Sequence, residues 1–130
     1  MKKQILVVDD EKGICEVLKD ILENDGLSVD VCYRGIEALQ FLQEKQYALV
    51  LIDIKLEGKI SGIDLIKEAV KITPKPAIFA VSATPKSHLE EMFKQNGLLE
   101  RVDRILEKPS DLRPERFIAY IRQTLSKERE

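Results

Sequence analysis

Short apolar runs alternate with segments of helical periodicity along the whole chain. Five of these runs predict β-strands, and they cover residues 4–9, 27–32, 48–53, 77–82 and 104–107. The first, third and fourth are apolar almost throughout, which is typical of parallel strands covered on both faces. The second alternates between apolar and polar residues, which favours an edge strand.

Apolar residues at helical spacing predict a helix after each strand. The positions that mark these five helices are Ile14, Val17, Leu18, Ile21 and Leu22, then Ile36, Leu39 and Leu42, then Ile63, Ile66, Ala69 and Val70, then Leu89, Met92 and Phe93, and last Phe117, Ile118, Ile121 and Leu125. Thr84-Pro85 suits a cap and first position for the fourth helix, and Pro114 suits the first turn of the fifth. The alternation predicts an α/β, three-layer (βα)5 sandwich with a parallel sheet of order 2-1-3-4-5.

Composition narrows the class of protein without naming an activity. The 130 residues are enough for one domain, and we expect it to span residues 1–126, with 127–130 as a charged tail or the start of a linker. The 21 basic and 23 acidic residues give a net charge of −2, so we expect no direct binding to nucleic acid. No apolar stretch approaches the roughly 18 residues of a membrane span, so we expect no membrane insertion and a cytoplasmic location.

Polar residues lie at the end of four of the predicted strands or directly after it. Asp9 ends the first and Asp10 follows it, Asp53 ends the third, Ser82 ends the fourth and Lys108 follows the fifth. In an open parallel sheet, ligands bind beyond the carboxyl ends of the strands, where the strand order reverses. The predicted order places that point between the first and third strands, which predicts a site at this edge of the sheet.

The charges of this edge indicate its chemistry. Two carboxylates about 5 Å apart repel by roughly 3 kcal/mol at an effective dielectric constant of 20, and a divalent cation removes that conflict. Oxygen ligands without His or Cys favour Mg²⁺, with Mn²⁺ as the alternative ion. Together with the Lys108 amine and the Ser82 hydroxyl, the carboxylates suit phosphoryl transfer to Asp53 as the nucleophile.

Four motifs give the chain a resemblance to a known family. "LVVDDE", "LVLIDIKL", "FAVSAT" and "LEKPSDL" together resemble the receiver domain of bacterial two-component response regulators, a chemotaxis-regulator-like single domain. The resemblance implies a flavodoxin-like fold and transfer of a phosphoryl group from a sensor histidine kinase or histidine phosphotransfer protein. It also implies that the domain catalyses its own phosphorylation and dephosphorylation, although it is primarily a signalling protein that acts on a downstream protein target.

The resemblance also implies roles for the residues around the acceptor. Asp53 is then the phosphoacceptor and also a metal ligand, Asp10 is the other carboxylate that binds the metal directly, and Asp9 is the residue that holds metal-bound water. The backbone carbonyl of Lys55 is then the third protein ligand.

Further roles follow for the ends of the fourth and fifth strands. Ser82 is then the hydroxyl that reorients towards the phosphate, and Lys108 pairs with the phosphoryl group. The Lys108–Pro109 bond resembles the family's cis peptide.

Two residues depart from the family's pattern. Glu57 stands four residues past the acceptor, where the family usually has Pro, and Ile105 stands three residues before the lysine, where an aromatic ring is common. An aliphatic side chain has no large ring to move between a wet and a buried state. We therefore expect Ser82 and the Ala83-Thr84 loop to carry most of the switch, and Ile105 to leave the response of the fourth helix weak or atypical.

Other interpretations remain open at this point. A haloacid-dehalogenase-like phosphatase uses similar groups, but its nucleophile follows the first strand in a DxD pattern. A flavodoxin-like cofactor binder needs a phosphate cradle after the first strand, where Asp9 and Asp10 would repel phosphate. A receiver-like module without phosphorylation is a third alternative. We expect no output domain after residue 126, and the alternative is a receiver excised from a longer regulator or hybrid kinase.

Overall fold

A computed structural model describes residues 2–127, except for the side chain of Lys127. Five strands alternate with five helices. The strands are β1 (Gln4–Val8), β2 (Ser28–Cys32), β3 (Leu49–Asp53), β4 (Ala77–Ser82) and β5 (Arg104–Glu107). The helices are α1 (Lys12–Asn24), α2 (Gly35–Glu44), α3 (Gly62–Ala69), α4 (Lys86–Gln95) and α5 (Pro114–Lys127), with a short 3-10 helix at Ser110–Leu112.

The strands form one parallel sheet of order β2-β1-β3-β4-β5, which confirms the predicted fold class and strand order. Because successive strand residues point to opposite faces, β1 supplies both cores. Leu6 and Val8 pack on the side of α2, α3 and α4, whereas Ile5 and Val7 pack on the side of α1 and α5. The sheet therefore lies between two helical layers and brings the carboxyl ends of its strands to one edge.

Some details of the sequence prediction are wrong. Met92 was expected to face inward, but 38% of its surface is exposed, and Val17 and Ile36 also face outward. Pro85 is the N-cap of α4 rather than its first helical residue, and that helix begins at Lys86. Met92, Val17 and Ile36 are apolar residues at a favourable spacing that lie outside the buried face, whose limits periodicity alone does not resolve.

The two cysteines are free and buried, and they belong to different cores, Cys15 on the α1 side and Cys32 on the α2 side. Burial raises the pKa of each thiol to about 12, which keeps both in the unreactive protonated form.

The ends of the chain and its relation to membranes stay largely as predictions. Helix α5 includes Lys127, and residues 128–130 of the predicted tail lie outside the described residues. The predicted boundary at residue 126 is therefore untested. Within residues 2–127, no helix is both long and apolar enough to cross a bilayer. The cytoplasmic location also stays a prediction.

Candidate functional site

Three carboxylates converge at the edge where β1 and β3 end. Val8 of β1 lies in register with Ile52 of β3, so the residues that follow each of them become neighbours. One carboxylate oxygen from each of Asp9, Asp10 and Asp53 lies within 4.8 Å of the others. The structure thus brings together the three acids that the sequence placed at the strand-order reversal.

Backbone contacts fix Asp9 in place although it lies outside the strand. Its N–H donates to the carbonyl of Cys32 at 3.1 Å, so the pairing of β1 with β2 extends one residue. Its own carbonyl accepts a hydrogen bond from the Cys15 thiol at 3.2 Å. The Glu11 N–H donates to its Oδ1 at 3.0 Å, which aims the other carboxylate oxygen towards the site.

Asp53 is held by the loop that follows it and by the start of α3. The Lys55 N–H donates to Asp53 Oδ1 at 3.2 Å. Gly62 begins α3 against the same strand end, where an added Cβ would lie 2.5 Å from the Asp53 carbonyl oxygen. Ser61 completes a capping box with Asp64 at that helix start. The glycine and the cap therefore set how closely α3 approaches the Asp53 backbone.

Lys108 provides the positive charge of the site. Its Nζ lies 2.8 Å from Asp9 Oδ2, 3.3 Å from Glu11 Oε1 and 3.6 Å from Asp53 Oδ2. Its side chain is only 10% exposed. Burial acts to lower the pKa of Lys108, but the hydrogen bond to Asp9 and the charges of Asp53 and Glu11 outweigh it and raise the pKa. Lys108 is therefore a fixed cation.

The site nevertheless carries more negative than positive charge. Asp9 is 3% exposed and Asp53 is 5% exposed, while Asp10 is partly buried. Burial and the Asp9 carboxylate raise the pKa of Asp53 to about 6, against the opposing effect of Lys108 and the Lys55 N–H. Three carboxylates beside one ammonium fit a divalent cation, and an all-oxygen donor set is what Mg²⁺ or Mn²⁺ prefers.

Ser82 ends β4 beside this cluster and is 1% exposed. Its Oγ accepts a hydrogen bond from the Thr84 N–H at 2.9 Å, and its carbonyl accepts one from the Lys108 N–H at 2.9 Å. Ser82 thus connects the loop before α4 to the residue that carries the ammonium.

The residues named for switching and for the cis bond lie at and after β5. Ile105 is 8% exposed and belongs to the core that also contains Leu89 and Phe93 of α4. The Lys108–Pro109 peptide is cis, which confirms that part of the prediction. Glu57 is exposed and lines an open cavity together with Asp10.

Sequence reasoning missed one contact that links the site to α4. Glu107 lies in register with Ser82, and its Oε1 accepts a hydrogen bond from the Lys86 N–H at 3.1 Å. Its own N–H donates to Asp111 Oδ2 at 2.9 Å. Glu107 therefore caps α4 from β5, where Pro85 offers no side-chain cap. The only available signal was that Glu107 precedes Lys108.

Comparisons with known proteins agree on one family. The profile described as "Response regulator receiver domain" matches residues 5–122. The transcriptional regulatory protein CpxR homolog of Haemophilus influenzae is 34% identical over 106 residues, which are 82% of this chain and 44% of that protein. The uncharacterized transcriptional regulatory protein YkoG of Bacillus subtilis is 32% identical over 95% of this chain and 51% of that protein. The chain spans about half the length of these curated relatives.

A solved structure supports the same family. The CheY-like response regulator receiver domain protein of Methanospirillum hungatei superposes with a TM-score of 0.86 at 26% identity, over 99% of this chain and 98% of that one.

Proposed function

The chain belongs to the response regulator receiver domain family, and from this premise we propose that it accepts a phosphoryl group on Asp53 and changes its binding to a downstream protein target. The observation that carries the proposal is the position of Asp53. Its Oδ2 lies 3.6 Å from the Lys108 ammonium, in a cluster with Asp9 and Asp10. Family membership also leaves the haloacid-dehalogenase and flavodoxin interpretations without support.

The transfer step uses the free carboxylate oxygen of Asp53. That oxygen attacks the phosphorus of a phosphohistidine on a sensor kinase or phosphotransfer protein. A P–O bond forms, the P–N bond breaks, and the imidazole leaves with a proton taken from solvent. In the separate dephosphorylation step, water attacks phosphorus, the P–O bond of the acyl phosphate breaks, and inorganic phosphate and the free Asp53 carboxylate are the products.

The residues around Asp53 have different roles in this step. Asp9, Asp10, the Asp53 carboxylate and the Lys55 carbonyl would hold Mg²⁺, with Mn²⁺ as a substitute. When bound, the ion supplies positive charge to the phosphoryl oxygens. Lys108 supplies a second positive charge from within the chain, and it remains charged because its pKa is raised.

Ser82 and the Ala83-Thr84 loop carry most of the proposed response, and Ile105 leaves the response of α4 weak. The Ser82 Oγ is held by the Thr84 N–H in this structure, and turning it towards a phosphoryl group breaks that hydrogen bond. The loop before α4 then has to move. Ile105 is already buried, so it adds no change between a wet and a buried ring.

We further propose that the phosphohistidine partner binds in a groove next to the site. An open apolar groove lies directly beside the site, between α1 and the segment after β5. It is lined by Glu11, Gly13, Ile14, Val17, Leu18, Lys108, Pro109, Leu112 and Arg113. A partner that presents a phosphohistidine to Asp53 has to cover the surface next to Lys108, and Val17, at 55% exposed, offers it an apolar contact.

The test of the phosphoacceptor is incubation with acetyl phosphate and Mg²⁺, followed by intact-mass analysis. We expect a mass increase of one phosphoryl group in the wild type and none in Asp53→Asn. Asp20→Asn, an exposed acid on α1, is the matched control and should be modified like the wild type. Absence of an Asp53-dependent increase, under conditions where acyl phosphates survive, contradicts the proposal.

A second experiment separates docking from chemistry. Transfer from a phosphorylated histidine phosphotransfer domain that modifies the wild type is compared with transfer from phosphoramidate, a small P–N donor. Val17→Glu should slow the first reaction and leave the second unchanged. Equal effects on both donors would remove the groove from the proposal.

A further inference from the structure

Glu11 occupies the start of α1 but does not cap it. It is the N-cap residue, and its side chain makes no capping hydrogen bond. Its carboxylate instead reaches the other side of the site, where Oε1 lies 3.3 Å from Lys108 Nζ across 97 positions of sequence. Attraction to the positive N-terminal end of the α1 dipole therefore does not explain the direction of the Glu11 side chain.

Three carboxylates share the single ammonium of Lys108, and they differ in burial. Asp9 and Asp53 hold it from inside, with side chains 4% and 6% exposed. Glu11 holds it from the solvent side, with a side chain 61% exposed. The Lys108 ammonium thus lies between the buried acceptor and an acid at the entrance of the site.

We propose that Glu11 is a positioning residue that holds Lys108 towards the entrance and so restrains its pairing with Asp53 and with an incoming phosphoryl group. This inference rests on the proposed function, because it concerns the availability of Lys108 for the same transfer. Exposed ion pairs are the weakest, so Glu11 is the partner that Lys108 gives up most readily. Glu11 also places a negative charge beside the path of an anionic donor.

Removing the Glu11 charge should therefore speed phosphorylation of Asp53. The energy of an exposed ion pair corresponds to a rate change of about 1.4- to fivefold. We expect an increase within this range for Glu11→Gln with acetyl phosphate. Glu11→Asp keeps the charge on a shorter side chain and should give an intermediate rate.

The experiment compares these variants with the wild type by two readouts. The first is the rate of acyl phosphate formation on Asp53 by intact mass, with a small donor so that partner docking does not contribute. The second is the NMR signal of the Lys108 side-chain ammonium, which its low exposure protects from solvent exchange. Glu16→Gln is the matched control, because it removes one charge from an exposed position of the same helix.

The outcomes are distinct. Faster phosphorylation and a shifted Lys108 signal in Glu11→Gln, with neither in Glu16→Gln, support the proposal. An unchanged or slower rate in Glu11→Gln, an equal acceleration in Glu16→Gln, or an unmoved Lys108 signal overturns it. If the wild type is not phosphorylated at Asp53, the proposed function fails instead, and the Lys108 signal still decides whether Glu11 holds the ammonium.

Discussion

Replacing Asp53 with Asn should stabilise the metal-free protein at neutral pH. The substitution keeps the size of the side chain and an oxygen that can accept the hydrogen bond from the Lys55 N–H, while it removes a buried negative charge beside Asp9. Because the native fold disfavours this charge, the wild type loses stability by ionising it. The variant avoids that loss.

The size of this stability difference and its pH dependence follow from the pKa of Asp53. The folded protein raises this pKa from 3.8 to about 6, chiefly through burial. A shift of about 2 pKa units corresponds to about 3 kcal/mol at most. Below the pKa of the unfolded state, the Asp53 carboxyl is protonated in both the folded and the unfolded protein. Asp53 therefore does not lower the free energy of unfolding in that pH range. The cost grows as the pH rises from about 4 to 6 and is complete above the folded pKa.

The assay is urea unfolding in EDTA at a series of pH values, followed by far-UV circular dichroism because the chain has no Trp. Asp53→Asn should exceed the wild type by about 2–3 kcal/mol at pH 7.5 and approach it near pH 4. Mg²⁺ at 100 times its dissociation constant from the wild type should then stabilise the wild type by about 2.7 kcal/mol and the variant by less. Asp20→Asn, which changes an exposed acid, is the control.

Equal stability of the two proteins at pH 7.5, or a difference that does not change with pH, would refute this reasoning. Either result would mean that Lys108 already compensates the Asp53 charge in full. The site would then have no electrostatic need for a cation.

Three other predictions concern the supports of the site. Gly62→Ala should destabilise the protein by about 2 kcal/mol or more in urea unfolding, because its Cβ would meet the Asp53 backbone, whereas Gly13→Ala, with open space around it, should not destabilise. Glu107→Ala should speed amide hydrogen exchange at Lys86 by loss of the cap, and Glu107→Gln, which keeps an acceptor, should restore most of the protection. Addition of beryllofluoride and Mg²⁺ should shift amide signals mainly at and just after Ser82, and large changes that spread along β5 would contradict the expected role of Ile105.

The sequence alone determined the layout of the fold and the identity of the main site groups. Continuous apolar runs predicted buried parallel strands, and the alternation with helices predicted the strand order that the structure has. Since parallel strands end at one edge, the positions of Asp9, Asp10 and Asp53 directly after β1 and within the end of β3 were enough to bring them together. These are local patterns, and chain connectivity converts them into proximity.

The tertiary structure alone decided which partners these groups have and how exposed they are. Nothing near Glu11 in sequence indicates that it reaches Lys108, and nothing near Lys86 indicates that Glu107 caps its helix. Met92 has the same apolar character as its buried neighbours but lies at the edge of the packed face. Contacts of this kind depend on angles and distances between elements that are far apart in the chain. Packing of the two cores sets those angles and distances, and no local sequence pattern predicts them.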